Sequence, residues 1–319
     1  MDALERAAEV IERSPLVALA CHVTPDGDAL GSMLAMHLLC RSQGKESVAS
    51  WPEPFVVAPH YTYLPALDLV TKPADFPQAP PVMVTFDCGS LDRLNELAEP
   101  AQEAGELIVV DHHATNESYG TINLLDADAA ASAVMVYRLA RRLGWPLTRD
   151  VAICLYTGIV TDTGRFQYSN TSPEVLEMAT ELSRFDLPIA DMSRQLFEEH
   201  RFAYLQLVAT VLQRAELDAA RRFVATWITR NDLAHFGVEM EEAEGMIDLV
   251  RRTAEADVSC VLKESEDGTR VSLRSVTEFD VSAIAMKFGG GGHRAAAGFT
   301  DARPISQVLA DIKAQIPTR

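Results

Sequence analysis

LVALACHVTPDGDALGSMLAMHLLCRSQG, residues 16–44, is the stretch that decides the fold of this chain. The run 16–22 is almost entirely apolar, which predicts a buried strand. The residues behind it place apolar side chains at helical spacing, and Gly44 provides a helix end. A short polar loop joins the two. The stretch therefore predicts a strand, a loop and a helix, in that order.

The same pattern recurs further along the chain. VMVTFD (82–87) and LIVVD (107–111) are apolar runs that each end in an acidic residue. Helical spacing follows in ASAVMVYRLARRLG, VAICLYTGIVTDTG and SPEVLEMATELSRF. Strands that alternate with helices are typical of a parallel, doubly wound α/β sheet.

The pattern of predicted secondary structure changes near Arg214. Short alternating strands are predicted for FVATWIT, DVSCVLKES and RVSLRSV, and helices for EEAEGMIDLVRR and VSAIAMKFG. A length of 319 residues also favours two domains. We therefore predict a first domain at 1–187, a helical linker at 188–213 and a smaller mixed α/β domain at 214–319.

Composition restricts the partners and the compartment. The net charge of −18 disfavours electrostatic capture of long nucleic acid, which depends on many Lys and Arg contacts to phosphate. No run approaches the roughly 20 apolar residues of a membrane span, and the N-terminus reads as an amphipathic helix rather than a signal peptide. The five cysteines are scattered, as in a reducing compartment, and are expected to pack as small apolar residues. A cytoplasmic protein that binds no membrane is expected.

Four separated motifs bring carboxylates and imidazoles to the ends of strands or helices. Ligands of an open parallel sheet bind beyond the carboxyl ends of its strands, so motifs that follow strands should converge there. A last motif must arrive from a helix. In chain order the side chains are His22, Asp26 and Asp28, then Asp87, then Asp111, His112 and His113, and finally Asp162.

This set of side chains favours a metal centre. Mixed carboxylate and imidazole ligands suit Mn²⁺, with Mg²⁺ or Co²⁺ as alternatives, and they suit Zn²⁺ or Fe²⁺ less selectively. About six ligands are too many for one ion, whereas two ions roughly 3.5–4 Å apart would use them all and activate a water. Asp87 is the natural bridge because it stands alone on a central strand. Each motif by itself is more often an ordinary turn, and it is their co-occurrence that indicates a site.

The motifs resemble those of a known family. HVTPDGDALGS, FDCGSLDR, VVDHHATN and GIVTDTGRF look like the four motifs of the DHH phosphoesterases, and FGGGGHRAAAGF resembles the signature of the DHHA1 domain. Together they span residues 21–299 in the family's order. The resemblance implies a DHH catalytic domain, a DHHA1 substrate-binding domain and a cleft between them.

The resemblance also implies a role for each side chain. One ion is held by His22 and Asp26, the other by Asp28, His112 and Asp162, and Asp87 bridges both. His113 is implied as a contact to the substrate phosphate, and Asp111 as the hydrogen-bond acceptor that orients the neighbouring imidazoles. Asp87, His112, His113 and Asp162 are thus the residues expected to carry catalysis.

The glycine run before His293 is a second candidate site. Backbone N–H groups of Gly290, Gly291 and Gly292 can approach a phosphate closely, although a flexible turn reads equally well from these residues alone. The resemblance places Arg274 and His293 on the far phosphate or base of the substrate. Three further arginines are open candidates with surface solvation or ion pairing as alternatives: Arg165, near the scissile phosphate, and Arg270 and Arg294.

Within the family, the chain looks most similar to the nano-RNase and pAp-phosphatase branch. This implies a hydrolase that degrades short oligoribonucleotides to mononucleotides and converts 3′-phosphoadenosine 5′-phosphate (pAp) to AMP, with no long duplex as substrate. A cleft between two binding sites would favour short chains. The main alternative is a phosphodiesterase for cyclic or linear dinucleotides such as c-di-AMP or pApA. A RecJ-like exonuclease, a manganese inorganic pyrophosphatase and a silent nucleotide-binding protein are further alternatives, and a homodimer is left open.

Overall fold

Residues 2–318 are described by the computed structural model, and they separate into two units between Glu198 and Glu199. The division lies inside the helical segment predicted as a linker at 188–213. Among the described residues, no helix combines the length and the apolar character that crossing a membrane requires.

The first unit alternates strands and helices, as the sequence predicts. Its strands are β1 (Leu16–Cys21), β2 (Glu46–Ser50), β3 (Val82–Phe86), β4 (Glu106–Asp111) and β5 (Ile122–Leu125). Its helices are α1 (Ala3–Arg13), α2 (Gly27–Ser42), α3 (Ala98–Gln102), α4 (Ser132–Leu143), α5 (Arg149–Asp162), α6 (Pro173–Ser183) and α7 (Ile189–Phe197). Short 3₁₀ segments occupy Pro59–Tyr61, Leu67–Leu69, Pro73–Asp75 and Leu91–Leu97.

These strands form a sheet in the order β2-β1-β3-β4-β5, and every neighbouring pair is parallel. From β1 the chain crosses to β2 on one side, whereas from β3 it proceeds to β4 on the other. The boundary between β1 and β3 is therefore a topological switch point, where open α/β sheets bind their ligands. The prediction of a parallel α/β sheet is confirmed.

Both faces of the sheet are covered, which explains the continuous apolar runs in the sequence. Val17 and Leu19 of β1 pack with α1, α2, α4 and α5, whereas Ala18 and Ala20 pack on the opposite side with α3 and the Leu91–Leu97 segment. Helix α2 is buried along almost its whole length. The polar side chains at its start are thereby held in the interior. The five cysteines are buried free thiols, which confirms their predicted role as small apolar residues.

The second unit is a mixed α/β sheet with helices. Its strands are β6 (Glu216–Asp218), β7 (Phe223–Ile228), β8 (Val258–Ser265), β9 (Gly268–Ser275), β10 (Gly291–His293) and β11 (Ala296–Asp301). Its helices are α8 (Phe202–Gln213), α9 (Arg230–Phe236), α10 (Ile247–Val250), α11 (Ser282–Lys287) and α12 (Ile305–Gln315). The strand order is β10-β11-β9-β8-β7-β6, with β7 and β8 parallel and the other pairs antiparallel.

Two local predictions in this unit were wrong. The stretch EEAEGMIDLVRR was predicted as one helix, but it forms a 3₁₀ segment, Glu241–Met246, followed by the single turn of α10. Gly245 weakens a continuous helix there. The glycine run was interpreted as an anion-binding loop or a flexible turn, whereas Gly291 and Gly292 form strand β10 against Gly298 and Ala297, and the binding role stays a prediction. Small residues on both strands allow this pairing.

Candidate metal centre

The acidic and histidine side chains of the first unit meet at the carboxyl edge of its sheet. His22 follows β1 directly, Asp87 follows β3, and His112 follows β4. Asp26 is the N-cap of α2 and accepts hydrogen bonds from the N–H groups of Asp28 and Ala29, both at 3.1 Å. The N-cap and the helix start thus place two acidic residues beside the switch point.

Two groups of potential ligands share one carboxylate. Ligand atoms of His22, Asp26 and Asp87 lie within 4.8 Å of one another, and so do those of Asp28, Asp87 and His112. Asp87 Oδ2 lies 3.5 Å from His22 Nε2, whereas Asp87 Oδ1 lies 3.3 Å from His112 Nε2. Each oxygen of Asp87 therefore faces a different group.

Asp162 extends the second group. It is the last residue of α5, and its Oδ2 lies 3.1 Å from His112 Nε2. The last motif therefore reaches the sheet edge from a helix, as its sequence position requires. Asp28 Oδ2 lies 3.8 Å from the same nitrogen of His112.

The electrostatics of the cluster fit a bound cation. Burial, reinforced by Asp162 and Asp87, raises the pKa of Asp28 well above its usual range. Burial also raises the pKa of Asp162 to about 6. For Asp87, burial opposes ionisation, but His113, His112 and His22 outweigh it and hold the pKa well below its usual range. Carboxylates gathered in a buried site resist ionising together, and a metal cation removes that conflict.

The imidazoles of His22 and His112 are oriented by backbone carbonyls. His22 Nδ1 donates to the carbonyl of Val23 at 2.8 Å, and His112 Nδ1 donates to the carbonyl of Ala129 at 3.2 Å. Both bonds leave Nε2 pointing at Asp87 with its lone pair available as a ligand. Such bonds to the second nitrogen are usual for metal-binding histidines.

Asp111 was predicted to orient the neighbouring imidazoles, and this needs a correction. Its Oδ1 accepts a hydrogen bond from His113 Nδ1 at 2.7 Å, and its Oδ2 accepts one from Asn116 Nδ2 at 2.5 Å. The ring of His112 turns instead to Ala129, because the two adjacent residues leave β4 in different directions. Asp111 thus orients His113, the predicted phosphate contact, and not His112, the predicted metal ligand.

Arg165 adopts an arrangement that the sequence did not predict. Its guanidinium lies over the ring of Phe197, 4.2 Å from the centroid, which is a cation–π contact. Its backbone has a φ of 63°, in the left-handed region that is uncommon for a non-glycine residue. The predicted phosphate contact of Arg165 stays a prediction.

In the second unit, strand register aligns Arg274 with His293. Arg274 pairs with Ala296 across β9 and β11, and Ala296 pairs with His293 across β11 and β10. The three residues therefore form one row, with the small Ala296 in the middle. Strand β11 lies between the glycine strand and the strand that carries Arg274.

Acidic residues form ion pairs with the basic side chains near this row. Arg274 Nε lies 3.7 Å from Asp248 Oδ1, and Arg270 Nη2 lies 3.2 Å from Glu244 Oε1. Glu244 also pairs with the buried Lys263, whose pKa burial lowers. Arg294 bonds the backbone carbonyl of Glu278. These contacts set the positions of the three arginines.

Sequence reasoning missed the residues that surround the ligands. Ser132, at the start of α4, donates its hydroxyl to Asp87 Oδ1 at 3.2 Å. Asn170 donates to the carbonyls of Ala130 and Asp162, at 3.2 and 3.1 Å. Neither lies in a motif rich in acidic or histidine residues. The small residues AAASAV (129–134) at the start of α4 were the available signal of a closely packed helix start.

Comparison with known proteins agrees with this geometry. A model of the DHH family, N-terminal domain, matches residues 16–159, and a model of the DHHA1 domain matches residues 220–316. The chain is 33% identical over 287 residues to the bifunctional oligoribonuclease and PAP phosphatase NrnA of Thermus thermophilus, covering 89% of this chain and 83% of that protein. The Bacillus subtilis protein of the same name is 27% identical over 290 residues, with 88% of each chain covered.

A solved structure gives an independent comparison of the fold. The crystal structure of an exopolyphosphatase-related protein from Bacteroides fragilis matches with a TM-score of 0.88 at 24% identity, covering 98% of this chain and 94% of that one. This likeness extends over both units and concerns the fold alone. The family models and the Thermus thermophilus relative give the assignment: the chain belongs to the DHH family, as a phosphoesterase that carries a DHHA1 domain.

Proposed function

We propose that this protein hydrolyses short oligoribonucleotides to mononucleotides and pAp to AMP in the cytoplasm. The observation that carries the proposal is the pair of ligand groups sharing Asp87 at the switch point of the sheet. Relatives named as bifunctional oligoribonuclease and PAP phosphatase support the choice of substrate. The negative net charge supports a small substrate over long nucleic acid.

The ligands divide between two metal positions. His22 and Asp26 would hold one divalent ion, and Asp28, His112 and Asp162 would hold the other, with one oxygen of Asp87 on each. Oxygen and imidazole donors favour Mn²⁺ among the common ions. When bound, the two ions supply the positive charge that acidifies an attacking water and neutralises the phosphoryl oxygens.

His113 supplies a hydrogen bond to the phosphate in this scheme. Burial opposes its protonation, but Asp87 and Asp111 outweigh burial and raise the pKa of His113. Because Nδ1 is engaged with Asp111, a protonated ring offers its Nε2–H as a donor. A charge-assisted donor of this kind stabilises the negative charge that grows on the phosphate during attack.

The row of Arg274 and His293 would bind the other end of the substrate. A guanidinium binds phosphate through two parallel N–H groups, and Asp248 lies 3.7 Å from the one of Arg274. Ala296 between the two residues leaves space at the surface of the sheet. Gly290, Gly291 and Gly292 add a stretch of backbone without side chains beside this row. Together they would recognise a terminal phosphate or a base.

Rates on a substrate panel test the proposal. Purified protein with Mn²⁺ is incubated with pAp, a dinucleotide such as pApA, a long oligoribonucleotide, c-di-AMP and pyrophosphate. We expect pAp and the dinucleotide to be hydrolysed fastest. Equal rates on long and short chains would favour a RecJ-like enzyme, and fastest turnover of pyrophosphate or c-di-AMP would favour the corresponding alternative. No turnover of any of these substrates with Mn²⁺ would favour a catalytically silent nucleotide-binding protein.

Metal titration tests the cofactor separately. We expect metal-free protein to bind two Mn²⁺ ions per chain in calorimetry, and Mg²⁺ and Co²⁺ are compared under the same conditions. A stoichiometry of one ion would contradict the division of ligands around Asp87.

A further inference from the structure

The stretch 129–133, which leads into α4, contacts three of the proposed metal ligands. The carbonyl of Ala129 accepts from His112 Nδ1, the hydroxyl of Ser132 donates to Asp87 Oδ1, and backbone N–H groups bond Asp28. These contacts come from one short stretch of chain, 129–133. It brings no metal-binding side chain of its own.

Asp28 acts as the cap of this helix. The N–H of Ser132 donates to Asp28 Oδ2 at 2.6 Å, and the N–H of Ala133 donates to Asp28 Oδ1 at 2.9 Å. The residue at the N-cap position of α4, Ala131, makes no side-chain cap. The first N–H groups of a helix need an acceptor, and here a carboxylate from α2 provides it. This fixes the plane of the Asp28 carboxylate.

Ser132 has a different effect on Asp87. Its hydroxyl lies 3.2 Å from Oδ1, which is also the oxygen 3.3 Å from His112 Nε2. Oδ2 is left facing His22 Nε2 at 3.5 Å. Rotation of the carboxylate about its Cβ–Cγ bond would lose the bond to Ser132. The hydroxyl therefore fixes the plane of the carboxylate, in which one oxygen faces each ligand group.

We infer that Ser132 is a positioning residue for the bridging carboxylate: by its bond to Asp87 it fixes the plane of the carboxylate so that one oxygen faces each of the two metal positions. This inference rests on the proposed two-ion site. Ser132 is completely buried, so no solvent molecule replaces its hydroxyl at the surface of the site. Partners of this kind change metal affinity by about 10- to 100-fold when they are removed.

The test compares Ser132→Ala with Ser132→Thr. The alanine variant loses the hydroxyl but keeps the backbone N–H that bonds Asp28, whereas the threonine variant keeps both. Ser47→Ala is the matched control, because Ser47 is a buried serine of the same unit whose hydroxyl contacts His37 Nδ1 at 3.0 Å. Calorimetric Mn²⁺ titration and thermal unfolding are measured on the metal-free proteins, and turnover is measured across Mn²⁺ concentrations.

We expect Ser132→Ala to bind Mn²⁺ about 10-fold more weakly or worse, while its metal-free unfolding temperature stays close to that of Ser47→Ala. Its turnover should fall at limiting Mn²⁺ and recover at saturating Mn²⁺, and Ser132→Thr should restore the affinity. If Ser132→Ala unfolds, Ser132→Cys, of similar volume and weaker donor strength, takes its place. Unchanged Mn²⁺ affinity in a folded variant lacking the hydroxyl would overturn the inference while the proposed function stands. Failure of the wild-type chain to bind Mn²⁺ would overturn both.

Discussion

Carboxylates in the two units are neutralised in different ways. In the first unit, Asp87 and Asp162 lie against imidazoles at 3.1 to 3.5 Å, and Asp28 is completely buried among them. In the second unit, Asp232 lies against Arg214 in a two-point ion pair. The pKa of Asp28 is raised by its surroundings, whereas that of Asp232 is lowered to about 2 by Arg214.

For Asp28 and Asp232, this difference separates a carboxylate of the proposed metal site from one in a structural ion pair. A carboxylate with a fixed guanidinium partner stabilises the fold in its charged form. A buried carboxylate whose pKa is raised destabilises the fold when it ionises, and it is retained because a bound cation changes the balance. The sign of the pKa shift should therefore predict the sign of the stability change when each charge is removed.

Asp28→Asn tests the first half of this comparison and has the largest expected effect. We expect metal-dependent hydrolysis of pAp to fall by at least about 100-fold, because a ligand is lost. The metal-free protein should lose little stability, because the removed repulsion from Asp162 and Asp87 offsets the loss of one of the two oxygens that accept from the first N–H groups of α4. Activity assays and urea unfolding of the metal-free form measure the two effects.

Asp150→Asn is the control for this variant. Asp150 is an exposed residue in the first turn of α5, so the same substitution there should leave turnover unchanged. Loss of stability in Asp28→Asn without loss of Mn²⁺ binding would reverse the assignment and make Asp28 a structural residue.

Arg274→Ala asks whether the second unit binds substrate independently of metal. Loss of a charge-assisted hydrogen bond of about 1.5–3 kcal/mol should raise KM for pAp by roughly 10- to 100-fold. Mn²⁺ affinity should not change. Kinetics and Mn²⁺ calorimetry on the same preparation separate the two quantities.

Arg230→Ala controls for removing an arginine from this unit. Arg230 pairs with Glu266 at an exposed position, with side chains 57% and 84% exposed, and it should have little effect on KM. An equal rise in KM for both variants would show a general charge effect and not recognition by Arg274.

The sequence predicted the carboxyl edge of the first sheet well for a physical reason. Apolar strands that end in acidic residues define both the parallel sheet and the place where its ligands meet, so the positions of His22, Asp87 and His112 follow from topology. The topology does not determine which groups hydrogen-bond to the side chains of this site. The carbonyl of Ala129 and the hydroxyl of Ser132 come from a distant stretch of chain, and small residues give no local sign of such contacts.

The glycine run is a region whose structure the sequence predicted poorly. Its composition predicted a loop, but pairing with the small residues of β11 made part of it a strand. Tertiary context can override such local preferences. The short strands β2, β5 and β6 were missed because they contain polar residues or too few residues to show a strand pattern. Their positions depend on pairing with neighbouring strands.

Gly292→Ala compared with Gly291→Ala tests the corrected strand. A Cβ on Gly292 would lie 2.5 Å from the carbonyl oxygen of Ala296, and its φ of 130° disfavours any side chain. A Cβ on Gly291 would meet nothing within 4 Å. We expect Gly292→Ala to lower the free energy of unfolding by about 3 kcal/mol and Gly291→Ala to change it by less than about 1 kcal/mol. Equal stability of the two variants in urea unfolding would favour the flexible loop.

Asp232→Asn tests the structural ion pair and completes the comparison with Asp28. Arg214 lowers the pKa of Asp232 from 3.8 to about 2, so the ionised group contributes about 2 kcal/mol to the free energy of unfolding at neutral pH. Because the folded-state pKa is lowered, this contribution is present above pH 3.8 and is lost as the pH falls from there towards 2. Urea unfolding of wild type and variant at pH 7 and pH 3 should show a difference that shrinks in acid. A difference of the same size at both values would assign the effect to the capping bonds that Asp232 makes with Thr229 and not to its charge.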